Sequence, residues 1–94
     1  MFQPAHPPTQ PPTLQLAVRV HGADVFGTLE WILATARRTG LSLQQLRYEA
    51  GPLARMSVQA PDADLLHLFV NRVSQAIDLA IVDAEVSEPE PLAA

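Results

Sequence analysis

"LSLQQLRYEAGPLARMSVQA", residues 41–60, decides the fold, because two strands lie in it back to back. Gly51-Pro52 is a strong turn signal. After it, Ala54, Met56 and Val58 alternate with Arg55, Ser57 and Gln59, the period of a half-buried strand. Before it, Leu46, Tyr48 and Ala50 share one parity, whereas Leu41 and Leu43 share the other. That change of phase predicts a strand proper beginning near Gln44, after a bulge. Two strands with so short a link predict an antiparallel hairpin.

Outward from the hairpin, each side reads as a helix. Upstream, "DVFGTLEWIL", residues 24–33, opens one in which Leu29, Ile32, Leu33 and Ala36 recur at helical spacing. Asp24 is placed to cap it, the helix should run from Val25 to Thr39, and Gly40 should end it in a left-handed conformation. Gly27 is the anomaly, since a glycine inside a helix costs about 1 kcal/mol against alanine. Downstream, "PDAD" opens a second helix, with Asp62 as cap and Asp64 in the first turn. Its apolar stripe is Leu65, Leu66, Phe69, Val70 and Val73.

The outermost elements are strands. Leu14, Leu16, Val18 and Val20 alternate with Gln15, Ala17, Arg19 and His21. At the other end "IDLAIVDAEV", residues 77–86, predicts a strand with Ala80, Val82, Ala84 and Val86 on its apolar face. The order is β-α-β-β-α-β. Right-handed crossovers would place both helices on one face of a four-stranded antiparallel sheet, an α+β ferredoxin-like plait. Such a two-layer sandwich buries every apolar stripe at once.

Beyond residues 14–86 the composition changes. Residues 1–13 are proline-rich and residues 87–94 acidic, each with too little apolar surface to offset ordering entropy, so both read as flexible tails. The head lacks the basic-then-apolar organisation of a signal peptide. A folding unit this short buries only about 60% of the surface that its unfolded chain exposes. With no cysteine in the chain, disulfides and thiolate metal sites are unavailable as staples. A homodimer is the device that remains, and absence of cysteine suits the cytoplasm.

Charge and chemistry narrow the function. All six basic residues are arginines, ten carboxylates outweigh them, and the net charge is −4. With no basic cluster, a nucleic-acid surface is not expected. Arg37 and Arg38 fall where the first helix ends, a favourable place against its dipole. RNA recognition on a plait needs aromatic residues on the two central strands, and these carry none. No apolar run is long enough to span a membrane. His6, His21 and His67 are scattered without ligand spacing, so no metal is expected, and no serine has a histidine placed to activate it. His21 keeps some claim to a ligand contact because it ends the first strand. Trp31, off the main stripe, is placed to flank the core or touch a partner.

An enzyme reading has one foothold. "RVHGADVFG", residues 19–27, has a passing likeness to the phosphate loop of acylphosphatases. That family requires an arginine at the end of the loop and an asparagine to orient water. Here the stretch continues "TLEWIL", with Glu30 in place of a cation, and the chain's one asparagine, Asn71, falls in the second helix. No catalytic residue is assigned.

A different resemblance covers most of residues 14–86. The chain resembles the ACT domain family, in particular the short, isozyme II type of small regulatory subunit of acetolactate (acetohydroxyacid) synthase. "DVFGTLEWIL" stands where that family has an Asn-x-Pro-Gly turn leading into a helix. "RTGLSLQQL" matches its helix end and following strand, and "VSQAIDLAIV" matches its second helix running into an apolar-Asp-Val strand start. Asp24 stands for the usual asparagine and Phe26 for the usual proline. The resemblance implies a non-catalytic subunit that needs no cofactor of its own and dimerises through its sheet edges. It would activate a thiamine-diphosphate-dependent large catalytic subunit in branched-chain amino acid biosynthesis. It further implies that Asp24, Val25, Phe26 and Gly27 line a site for a branched-chain amino acid effector or a dimer contact. In that picture Gly27 is bare because a ligand or a neighbouring subunit presses on it. The alternative is a free-standing ACT-type module that senses an amino acid.

Overall fold

The computed structural model describes residues 10–88, and the greater part of both expected tails, residues 1–9 and 89–94, lies outside the described residues. Six elements follow in order: β1 (Thr13–Val20), α1 (Val25–Thr39), β2 (Ser42–Glu49), β3 (Leu53–Gln59), α2 (Ala63–Ser74) and β4 (Leu79–Ser87). All strand pairs are antiparallel and the sheet order is β2-β3-β1-β4. This is the ferredoxin-like plait, with β1 and β3 at the centre.

Both helices begin and end as their sequences dictate. The Asp24 carboxylate accepts from the Gly27 N–H at 2.9 Å, and Asp62 accepts from the Leu65 N–H at 3.2 Å. Gly40 ends α1 at φ 91°, and the N–H groups of Gly40 and Leu41 return to Arg37 and Ala36 carbonyls. That left-handed turn is nearly free for glycine and strained for other residues. At the β2–β3 turn, Gly51 has φ 106°, and the turn is tied down when the Val20 N–H donates to the Pro52 carbonyl at 3.0 Å.

The core lies between the sheet and the helices. Leu14, Leu16 and Val18 of β1 meet Met56 and Val58 of β3 from one side, and Ile32, Leu66, Phe69 and Val73 close over them. Phe69, Leu66 and Val73 are completely buried, so three members of the stripe read on α2 carry its packing. On α1 the stripe is as read but wider. Ile32 and Ala36 are buried, half-buried Leu29 and Leu33 pack against the core, and Thr28, Thr35 and Thr39 are buried as well. Two of the three threonine hydroxyls are accommodated by hydrogen bonds, Thr35 donating to the Trp31 carbonyl and Thr39 to the Thr35 carbonyl, each at 2.7 Å. A buried hydroxyl is tolerated when it is so bonded.

Two strand readings need correction. The phase change in β2 is a bulge, with the register shifting between Leu43 and Gln45, but the strand begins ahead of it at Ser42 rather than near Gln44. In β4 the expected apolar face is half wrong. Val20 pairs with Leu79 and Val18 with Ile81, whereas Leu16 pairs with Ala84 and Leu14 with Val86. Directly paired residues share a face, so Leu79, Ile81, Ala84 and Val86 point inward, and Ala80 and Val82 do not. The cause is a second bulge, where the register shifts opposite Ala17 and Val18 and leaves Val82 half exposed. A bulge switches parity within a strand, so one continuous alternation cannot describe both halves.

Candidate functional site

The end of the plait where β1 gives way to α1 also receives the link from α2 to β4. The N–H groups of His21 and Gly22 both donate to the Asp78 carbonyl, at 2.7 and 3.4 Å, which holds the two connections together. Between them opens a groove of about 570 Å³. Asp24, Gly27, Thr28 and Trp31 form its α1 wall, and residues 75–79 form the other. Its charge comes from Asp24 and Asp78, and its apolar surface from Trp31, Ala76, Ile77 and Leu79. Ile77 is 92% exposed, far more than a packed link residue would be.

The four residues expected to act together are divided. Asp24 and Gly27 line the groove; Val25 and Phe26 are not among its lining residues. Val25 is half-buried, and Phe26 is 82% exposed, so it fills no pocket within the monomer.

Gly27 has an explanation inside its own chain. A Cβ built on it would lie 2.9 Å from Asp24 Cγ and would overlap Asp24 Oδ2 outright. Real Cβ atoms essentially never approach so close. The carboxylate that caps α1 therefore occupies the volume a side chain at 27 would need. Gly27 thus has a neighbour within its own chain, besides the groove that it lines.

Sequence reasoning left Thr28 and residues 75–79 out of the site. Their signal was weak, because Asp78 reads as the start of the last strand, and β4 begins one residue later at Leu79. Trp31, read as a flank or partner contact, does stand on the groove wall, 39% exposed.

Other chemistry is sparse. Arg19, one residue before the end of β1, donates to the Gly51 carbonyl at 2.7 Å. Across the open face of the sheet Arg47 lies directly opposite Arg55, and Glu49 reaches both, at 3.9 and 3.6 Å. Like charges directly opposed destabilise a sheet, and the shared carboxylate offsets that. Among the described residues no group of three or more His, Asp or Glu is placed to hold a metal ion. Nor is any described helix long and apolar enough to cross a membrane.

Fold and groove together define a small plait with an open, mixed-polarity cleft at the α1 start. No protein-family model matches the chain, and no curated protein does. Among solved structures it is similar to the crystal structure of acylphosphatase from Bacillus subtilis. The TM-score is 0.63 at 17% identity, over 86% of this chain and 88% of that one. It is similar also to the de novo designed protein Foldit4, with a TM-score of 0.67 at 11% identity, over 86% of this chain and 100% of that one. Likenesses at these identities show the shared fold, and a fold hosts many unrelated activities.

Proposed function

We propose that the chain is a non-catalytic, cytoplasmic ACT-type regulatory subunit. It would work as a homodimer that activates the large thiamine-diphosphate-dependent subunit of acetolactate synthase in branched-chain amino acid biosynthesis. The sequence resemblance supplies the identity of the enzyme. The observation that carries the regulatory reading is the free edge of the sheet at β2. Leu43, Leu46 and Tyr48 are 48%, 36% and 43% exposed there, although their partners Val58, Met56 and Ala54 are buried on the same face. Three large apolar side chains on an unpaired edge are what a second sheet edge would cover.

The site chemistry favours a binding role over a catalytic one. The β1–α1 loop aims two of its N–H groups at the Asp78 carbonyl, and the Gly27 N–H is taken by Asp24. Donors already engaged do not cradle a phosphoryl group. Asp24 and Asp78 also give the groove a negative character that suits an ammonium group better than a phosphate.

A regulatory subunit contributes no reacting group and acts by binding the more active conformation of its partner more tightly than the others. Mixing the purified chain with the large subunit encoded in the same genome should raise acetolactate formation per mole of enzyme. Neither binding nor activation would end this reading. A thermal-shift screen against the twenty amino acids separates it from the free-standing sensor, which would show one specific stabilising ligand without any effect on the enzyme.

A further inference from the structure

The groove at the start of α1 does not stop at Trp31. A second groove of about 600 Å³ continues from it along the α1–α2 seam, sharing Trp31, Gln75 and Ala76 and ending at Arg38 and Arg72. The two form one trough whose ends differ in sign, with Asp24 and Asp78 at one and Arg38 and Arg72 at the other. On α1 the trough wall runs through Asp24, Gly27, Trp31, Thr35 and Arg38, at spacings of three, four, four and three residues. This is a second helical stripe beside the one that faces the core.

We infer that this trough is a docking site for an extended segment of a partner protein. That segment carries a cation at one end and a carboxylate at the other, with a small apolar stretch between. Charge complementarity sets the two ends. The middle is set by the Trp31 indole and Ala76, which offer apolar surface and a face for cation–π contact near the acidic end. Gly27 contributes by absence, since any side chain there would stand on the trough wall. Asp24 to Arg38 spans fourteen residues of helix, about 21 Å at a rise of ~1.5 Å per residue. An extended segment of about six or seven residues, at ~3.3 Å each, matches that length. Arg72 is already oriented, because its guanidinium donates to Thr39 Oγ1 at 3.0 Å. The inference concerns this face alone and does not depend on which enzyme the chain regulates.

Trp31 is the chain's single tryptophan, so its emission reports the trough directly. The probe is a synthetic seven-residue peptide with arginine at one end, glutamate at the other, and alanine and leucine between. Titrated into the full chain, it should change Trp31 emission saturably, and added salt should weaken the effect. Asp78→Asn and Arg38→Gln should each weaken binding by about two- to fivefold, the range for exposed charge pairs. Arg38→Glu should lose the mixed peptide and bind better a peptide with arginine at both ends. Equal binding of a scrambled peptide would overturn the inference. So would emission that follows protein concentration alone, which would mean that a second copy fills the trough. Failure here with intact activation of the large subunit would remove the trough and leave the proposed function standing.

Discussion

At the residue scale, Asp24 and Gly27 form a unit that neither explains alone. The carboxylate caps α1 by accepting from the Gly27 N–H, and it lies in the volume a Cβ would take. Glycine inside a helix costs about 1 kcal/mol relative to alanine, so Gly27→Ala should be favourable on propensity. In the native chain the gain should be smaller, because the carboxylate must first rotate away from the volume a Cβ would take. Removing the cap by Asp24→Ala should cost about 1 kcal/mol. In that background Gly27→Ala should recover about 1 kcal/mol. Urea denaturation of the four proteins measures the coupling, and equal effects of Gly27→Ala in both backgrounds would refute it. Asp24 is legible in the sequence as a cap, since an aspartate just ahead of a helical pattern has one common use. The reason for Gly27 is not legible, because it depends on where the neighbouring carboxylate points, and spacing carries no rotamer.

At the element scale, the two edge strands decide how the sheet meets its surroundings. The helices and the hairpin could be read because capping residues, turn residues and apolar period all agree there. The bulges are where agreement ends. In β2 the phase change is visible, because Leu43 and Leu46 cannot share a face in an unbroken strand. In β4 it is hidden, because small and β-branched residues occupy both parities from Leu79 to Val86. Burial on β2 was equally hidden. Its alternation gives the face of Leu46 and Tyr48, but not that the helices stop short of covering them. A charge at this edge should prevent its pairing with another sheet. Leu46→Lys should therefore shift sedimentation toward monomer while leaving the far-ultraviolet circular dichroism unchanged. A dimer that persists through Leu46→Lys and Tyr48→Lys must use another surface.

At the scale of the whole molecule, stability is concentrated under α2. Phe69, Leu66 and Val73 have no exposure, and they seal the layer between α2 and the two central strands and β4. Phe69→Ala should cost about 3–5 kcal/mol, from lost transfer energy and the cavity left behind. Folded domains retain only about 5–15 kcal/mol, so that single change should bring the chain close to unfolding at room temperature. A cost under ~1 kcal/mol by the same urea measurement would mean that the layer collapses around the gap. Phe69 belongs to the apolar stripe that the sequence shows, and its central role follows from the fold that the order of elements imposes. The trough is a property of this scale too. Asp24 and Asp78 are far apart in sequence and meet because the plait brings the start of α1 and the end of α2 to one end of the sheet.

The two rims of the sheet differ in charge rather than in continuity. Each edge strand is interrupted once and keeps a five-residue paired run, Asp83–Ser87 in β4 and Gln45–Glu49 in β2. The β4 run carries Asp83 and Glu85 with no cation, whereas Glu49 on β2 is balanced by Arg47. Growth that joined one rim to the opposite rim of the next molecule would have no natural end and would make a filament. Carboxylates on the β4 run disfavour such growth, and in the proposed dimer, with β2 against β2, two copies would exhaust the surface. In that arrangement two carboxylates on the last strand would keep a small, edge-bearing protein from polymerising.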